Sequence, residues 1–161
     1  MPPRRSCDQP SCGSFSDEGK SFLACALGQK ACRDGFSGVY RRASRLFDEL
    51  AQARADGTHP HALKRLAKAQ VLILDDFGLE PLGSAERKEL LEVLEDRYHQ
   101  SSTVVTSQLE PKDWHAVIGD ATLADAILDR RVHNAHRIKL GGESIRYVET
   151  NLMKGRKQTK V

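Results

Sequence analysis

The sequence predicts an α/β fold in which helices flank a parallel β-sheet, and two observations carry this prediction. Residues 71–74 are four aliphatic residues in a row, two of them β-branched, which is typical of a strand buried on both faces. Short β-rich runs alternate along the chain with segments of helical periodicity, and this alternation favours a doubly wound sheet. Asp75 and Asp76 follow the aliphatic run directly. We therefore expect both at the carboxyl end of that strand, where open α/β sheets bind ligands.

The length and composition describe one globular domain. The 161 residues are 39% hydrophobic and 29% charged, which is enough for a substantial core. No apolar run approaches the length of a membrane span and the first residues do not resemble a signal peptide, so we expect a cytoplasmic protein without membrane contact. The four cysteines form no CxxC pair and have no histidine at zinc-finger spacing. We therefore predict neither a disulfide nor a cysteine metal site.

Composition and charge also divide the chain. Residues 1–18 are rich in Pro, Ser, Cys and Gly without apolar periodicity, and we expect them to be disordered. A folded domain is predicted at residues 19–150, followed by a basic tail at residues 151–161. Residues 120–161 hold nine Lys and Arg against five Asp and Glu, a balance of +4. Such a segment suggests contacts with nucleic-acid phosphates, and a solvated tail is the alternative explanation.

Apolar spacing and turn residues place the other elements. Helices are predicted from residue 19 to about 32, from 43 to about 54, over 62–67, from 84 to 98 and over 121–133, with a short segment around Trp114. Ser84 is the expected N-cap of its helix, with Arg87 at the capping-box position. Further strands are predicted at residues 38–40, 102–106, 137–140 and 144–148.

The start of the first helix carries half of a phosphate-binding motif. Gly19, Lys20 and Ser21 match the end of a Walker A loop, in which the lysine meets the β- and γ-phosphates and the hydroxyl binds Mg²⁺. The first half does not match, because Ser14 replaces the expected glycine and Asp17 and Glu18 lie where a polyphosphate would bind. The tripeptide also occurs in many solvated helix starts. Its significance comes from the acidic pair, which follows 55 residues later.

The acidic pair after residues 71–74 is typical of a Walker B element. Two adjacent carboxylates repel each other and are expected to be ionised together only beside a cation, typically Mg²⁺. The alternative is a strand followed by a solvated acidic turn. We favour the nucleotide site.

Several longer stretches resemble one known family. Together with the two motifs, they make the chain similar to the IstB/DnaC-type AAA+ ATPases, especially the helper ATPases of insertion-sequence transposons. The additional matching stretches are residues 23–28, 94–98, 102–108, 123–130, 132–138 and 142–144. The resemblance extends from Gly19 to about Arg146, roughly four-fifths of the chain. The resemblance implies an AAA+-like P-loop NTPase fold that binds ATP and Mg²⁺.

The resemblance implies a role for each matching residue. Gly19, Lys20 and Ser21 would bind the nucleotide, Ser21 and Asp75 the metal, and Asp76 would position the attacking water. The remaining implied site residues are a sensor group reading the γ-phosphate, Ser107 or Gln108, and an arginine finger acting on a neighbouring subunit, Arg130.

Each of these roles has a structural alternative. Asp76 could cap a turn, Ser107 and Gln108 are ordinary strand-end residues, and a cation such as Arg130 is favoured by the dipole at the end of any helix.

The implied function is ATP-dependent assembly on double-stranded DNA as a homo-oligomer that stimulates a transposase. A DnaC-like helicase loader in DNA replication is the alternative within the same class. Family members usually carry an N-terminal helical domain and a first core strand before the phosphate loop, and we expect both to be missing here. The rival from another class is therefore a truncated, non-catalytic remnant that binds DNA or a partner.

Overall fold

A computed structural model describes residues 19–131 and 135–140 of the chain. In these residues, three strands and six α-helices alternate. The strands are β1 (Gly38–Arg42), β2 (Val71–Phe77) and β3 (Ser102–Ser107). The helices are α1 (Lys20–Arg33), α2 (Ala43–Ala55), α3 (His59–Lys68), α4 (Ser84–Asp96), α5 (Trp114–Ile118) and α6 (Ala121–Arg131), with a 3₁₀ turn at Pro111–Asp113.

The described strands form one parallel sheet in the order β1-β2-β3. The aliphatic run therefore forms the central strand, as the sequence predicted. Val71 lies opposite Gly38 on one side and opposite Ser102 on the other, so the three strands begin at a common level. Because all three are parallel, their carboxyl ends meet at the same edge of the sheet. Asp75, Arg42 and Thr106 are therefore close to one another at this edge.

The two faces of β2 pack against different helices. Leu72 and Leu74 point into the main core, which α2, α3, α4 and α6 complete with side chains such as Leu46, Leu66 and Leu90. Ile73 points to the opposite face, because side chains alternate along a strand. There it lies so close to α1 that a Cβ atom added at Gly28 would stand 2.7 Å from its Cδ1. A side chain at position 28 would require the end of Ile73 to shift, so the glycine lets α1 lie against the sheet as it does here.

Two local predictions were wrong. Ser84 is the first residue of α4 and not its N-cap, which is Gly83. The side chain of Glu86 accepts a hydrogen bond of 2.6 Å from the Gly83 amide, so the glutamate expected of a capping box is present one position earlier than predicted. Residues 137–140, predicted as a strand, have no regular secondary structure. Their predicted partner at residues 144–148 lies outside the described residues.

Other predictions concern residues at the chain ends or single features. The disordered segment 1–18, the missing first strand and the tail at 151–161 all lie outside the described residues. Cys32 is disulfide-bonded, contrary to the prediction, whereas Cys25 is a free thiol. Within residues 19–131 and 135–140, no helix is both long enough and apolar enough to cross a membrane.

Candidate functional site

The candidate site is built around the carboxylate of Asp75, which is completely buried near the end of β2. Three hydroxyl groups donate hydrogen bonds to it. The Ser21 Oγ lies 2.9 Å from Asp75 Oδ1, the Thr106 Oγ1 bonds the same oxygen, and the Tyr40 Oη lies 2.6 Å from Oδ2. None of the described ion pairs includes Asp75. A buried carboxylate is thus held by neutral donors, which satisfy its oxygens without cancelling its charge.

The sheet register explains how these groups meet. Tyr40 lies on β1 and Thr106 on β3, the two neighbours of β2, so their side chains reach Asp75 from opposite sides. Ser21 comes from the first turn of α1, which packs on the sheet above Ile73. The Ser21–Asp75 bond joins residues 54 positions apart in sequence. The phosphate-binding tripeptide at Gly19–Ser21 and the acidic pair at Asp75 and Asp76 therefore lie together in one place.

The start of α1 has the geometry of an anion-binding helix end. Gly19 is its N-cap in a left-handed conformation, with φ of 68°, and Lys20 is its first residue. No acidic side chain lies in the first turn of this 14-residue helix, so its positive dipole end is not neutralised there. Lys20, Ser21 and the backbone N–H groups of the first turn form a cationic end beside Asp75.

The donor set of Ser21 and Asp75 fits Mg²⁺. Both groups are oxygen ligands, which this hard cation prefers. The Ser21 Oγ donates its hydrogen to Asp75, and a hydroxyl oxygen that donates in this way can also be a ligand of a metal ion. The negative charge of Asp75 is not balanced by any described ion pair and can attract the cation. The residues at the end of β2 and the start of α1 therefore match the metal predicted from the sequence.

Asp76 has an unusual backbone and a charged neighbour. Its φ is 57°, a left-handed value that few residues other than glycine adopt, at the point where the pairing of β2 with β3 becomes irregular. Its amide donates to Thr106 Oγ1 at 3.0 Å, and its Oδ2 lies 3.6 Å from the Arg42 Nε. Burial raises the pKa of the Asp76 carboxyl, the Asp75 charge raises it further, and Arg42 opposes both effects. The pKa of Asp76 is therefore raised overall, and Arg42 limits the rise.

The predicted sensor residues are placed differently from each other. The Ser107 hydroxyl donates to the Phe77 carbonyl at 2.7 Å and accepts from the Leu109 amide at 3.1 Å, so it is occupied by backbone groups. Gln108 follows the end of β3 and is exposed. Arg130 belongs to the last turn of α6, but its side chain lies outside the part of the chain that the structure describes. The roles of all three remain predictions.

Three residues of the site were missed from the sequence: Tyr40, Thr106 and Arg42. All lie on strands that flank β2, Tyr40 in the middle of β1 and the other two at or next to a strand end, and the signal that could have found them is their register. Once β1 and β3 are aligned parallel to β2, polar residues at their carboxyl ends must lie beside the acidic pair.

Solved structures with the same fold include proteins of DNA replication. The chain superimposes on an AMPPCP-bound DnaA from Aquifex aeolicus with a TM-score of 0.66 and 16% identity, over 87% of this chain and 52% of that one. A DnaC helicase loader gives a TM-score of 0.58 and 23% identity, over 78% of this chain and 72% of that one. These similarities show that the fold is the AAA+ P-loop fold predicted from the sequence.

Sequence relatives are more specific. A Sinorhizobium fredii protein named for ATP binding in an insertion sequence is 59% identical over 135 residues, covering 84% of this chain and 55% of that protein. A similarly named Pseudomonas aeruginosa protein of the insertion sequence IS21 is 37% identical over 131 residues, covering 81% of this chain and 49% of that protein. The chain thus spans about half the length of these relatives. The family described as "IstB-like ATP binding protein" matches residues 13–152. The chain therefore belongs to the IstB-like ATP binding protein family.

Proposed function

We propose that this chain is the ATP-binding part of an insertion-sequence helper protein that assembles on DNA with ATP and stimulates a transposase. The observation that carries the proposal is the hydrogen bond between Ser21, at the positive end of α1, and the buried carboxylate of Asp75. It combines a phosphate-binding helix end with a metal-binding carboxylate. Family membership supports the insertion-sequence context.

The phosphates would be held by the start of α1. Lys20 would meet the β- and γ-phosphates, and the backbone N–H groups after Gly19 would donate to phosphate oxygens. The helix dipole favours an anion at this end, which adds to the charge of Lys20. Asp75 would be held by Ser21 and would share the metal with it, and the charge of the cation would offset the repulsion between Asp75 and the phosphates.

Ser21 and Asp75 would hold Mg²⁺, which when bound supplies charge neutralisation at the β- and γ-phosphate oxygens. Asp76 would orient the attacking water through its carboxylate. For this it must be ionised, and Arg42 favours ionisation against the effects of burial and of Asp75. Ser107 or Gln108 would read the γ-phosphate, with Gln108 the better placed because the Ser107 hydroxyl is already occupied.

Hydrolysis would require assembly of several copies of the chain, because one catalytic residue of each site would come from a neighbouring copy. Arg130 would enter the site of a neighbouring copy and stabilise the charge that develops on the transferred phosphoryl group. We place this homo-oligomer in the cytoplasm, on double-stranded DNA and in contact with the transposase. The chain matches about half the length of its relatives, so these partners are proposals based on proteins about twice as long as the matched region.

The experiment that tests ATP binding is calorimetry with Mg²⁺ on this chain and on Lys20→Ala. We expect binding by the parent chain and at least a tenfold loss in Lys20→Ala, because one phosphate-binding cation is removed. Lys30→Ala is the matched control, since Lys30 lies on the same helix and pairs with Asp34 at its exposed end. Absence of binding by a chain shown to be folded by circular dichroism would overturn the proposal.

That negative result would support the second candidate, a non-catalytic module that binds DNA or a partner. The observation that favours it is in the sequence, where Asp17 and Glu18 precede Gly19 in a position that would repel phosphates. A DnaC-like helicase loader shares the fold and the nucleotide chemistry. Stimulation of transposase activity, compared with loading of a replicative helicase, would distinguish it from the proposed function.

A further inference from the structure

The Tyr40 hydroxyl contributes to the site in a way that neither the phosphate-binding tripeptide nor the acidic pair predicts. It donates a 2.6 Å hydrogen bond to Asp75 Oδ2, while Ser21 and Thr106 both donate to Oδ1. Tyr40 is therefore the only described donor to that oxygen. Without it, Oδ2 would be buried in the described structure with no hydrogen-bond partner, and the carboxylate could rotate about its Cβ–Cγ bond to share the remaining donors.

The three donors fix the carboxylate in two directions. Tyr40 holds it from the β1 side and Thr106 from the β3 side, so its plane is set by strands on both flanks of β2. A metal ligand must present its lone pairs in a defined direction, and Mg²⁺ requires a nearly ideal octahedral arrangement. Groups that orient a ligand in this way contribute strongly to metal affinity although they do not touch the metal.

The chemical nature of the donor matters as much as its position. A lysine or arginine at position 40 would also hold the carboxylate, but its charge would compete with the cation. A phenol holds the carboxylate while leaving its charge available. A tyrosine hydroxyl has an ordinary pKa of about 10 and is therefore a hydrogen-bond donor at neutral pH.

We propose that Tyr40 is a positioning residue for the metal, holding Asp75 in the orientation in which it and Ser21 bind Mg²⁺ together with the nucleotide. This inference rests on the proposed ATP binding and adds to it a residue on β1. It assigns a functional reason to a hydroxyl that packing in a short strand would not require.

The test is the enhancement of ATP binding by Mg²⁺, measured as the ratio of the dissociation constants in EDTA and in excess Mg²⁺. Tyr40→Phe keeps the ring and removes only the hydroxyl. We expect about a tenfold smaller enhancement in Tyr40→Phe, with its affinity for ATP in EDTA unchanged, because outer partners of metal ligands typically contribute a factor of about 10 to 100 to metal affinity. Tyr98→Phe is the matched control, since Tyr98 packs on His99 away from Asp75.

The outcomes separate this inference from the proposal beneath it. If the parent chain shows no enhancement by Mg²⁺, both the metal site and the role of Tyr40 are wrong. If the parent shows it and Tyr40→Phe retains it in full, only the role of Tyr40 is wrong. An equal loss of affinity in EDTA and in Mg²⁺ would likewise overturn that role, since it would mean that the hydroxyl supports the fold of the site and not the metal.

Discussion

The two ends of the sheet each bury a charged side chain completely, but they hold it by different means. At the amino end, the Arg97 guanidinium donates mainly to backbone carbonyls, those of Leu66, Ala69 and Ser102, and also to the Thr103 hydroxyl. At the carboxyl end, Asp75 accepts from three side-chain hydroxyls. The carbonyls bonded by Arg97 belong to the backbone that leads into β2 and to the start of β3. The hydroxyls bonded to Asp75 lie on side chains that can rotate.

This difference separates a structural site from a site able to bind a ligand. Carbonyl groups at the ends of α3 and at the start of β3 cannot turn away without unfolding those elements, so the bonds of Arg97 tie them together permanently. Hydroxyl hydrogens can be redirected at almost no cost. The hydroxyl hydrogens around Asp75 can therefore adjust their directions to a bound cation while they still hold the carboxylate, and the carbonyls around Arg97 have no such freedom.

A second buried carboxylate sharpens the contrast. Glu89 on α4 is bonded by the Arg54 guanidinium and lies 2.7 Å from the His59 Nε2. His59, Glu89 and Glu92 each place one potential metal-binding atom within 4.8 Å of the others. Arg54, however, already supplies a cation there. The charge of Glu89 is thus neutralised by an ion pair with Arg54, whereas no described ion pair neutralises Asp75.

The largest effect is expected at Arg97. Replacing Arg97 by Met leaves the Leu66 and Ala69 carbonyls buried without their donor, so we expect a loss of about 3 to 5 kcal/mol in the free energy of unfolding. Urea unfolding followed by circular dichroism measures this loss. Arg87→Met is the control, because Arg87 donates to one carbonyl, that of Leu82, and should cost about 1 kcal/mol. Similar losses in both variants would contradict the structural role of Arg97.

A smaller, pH-dependent effect is expected at Glu89. Burial alone would raise its pKa, but hydrogen bonds from Arg54 and His59 outweigh this effect and bring the pKa below its ordinary value of 4.5. The ionised form therefore contributes stability above pH 4.5, and this contribution is lost as the pH falls through the folded-state pKa. Glu89→Gln should be less stable than the parent by about 1 to 3 kcal/mol at pH 7.

The difference between Glu89→Gln and the parent should narrow below pH 4.5. Urea unfolding at a series of pH values tests this, with Glu92→Gln as the control, since Glu92 is an exposed residue on the same helix. A difference that stays constant from pH 7 to pH 3 would show that the charge of Glu89 is not what stabilises the fold.

The smallest change in stability is expected at Asp75. Asparagine has nearly the same shape, and the hydroxyls of Tyr40, Ser21 and Thr106 can rotate to pair with an amide. We expect Asp75→Asn to change the free energy of unfolding by no more than about 1 kcal/mol while abolishing the Mg²⁺ enhancement of ATP binding. Calorimetry and urea unfolding on the same preparation measure both. A loss of stability as large as that of Arg97→Met would remove the distinction between the two ends.

Periodicity and composition by themselves determined much of this protein. The central strand, the helices on either side of it and the position of the acidic pair were all predicted, because burial of apolar side chains dictates a period that is visible in one segment at a time. The sequence also placed a phosphate-binding motif at Lys20 and Ser21. Two of its errors were local: the cap of α4 was assigned one residue late, and residues 137–140 were read as a strand. The third was the expectation of no disulfide, which was wrong for Cys32.

Only the tertiary structure decided which polar groups meet. Nothing in the local pattern around Tyr40, Thr106 or Arg97 distinguishes a hydroxyl or guanidinium that enters a buried network from one that points to solvent. Their partners lie in other elements, 28 to 35 positions away for the Asp75–Tyr40, Asp75–Thr106 and Arg97–Ala69 bonds. Apolar burial is non-directional and leaves a pattern in the sequence, whereas a hydrogen bond depends on distance and angle between two elements. These are fixed only when the sheet register is set.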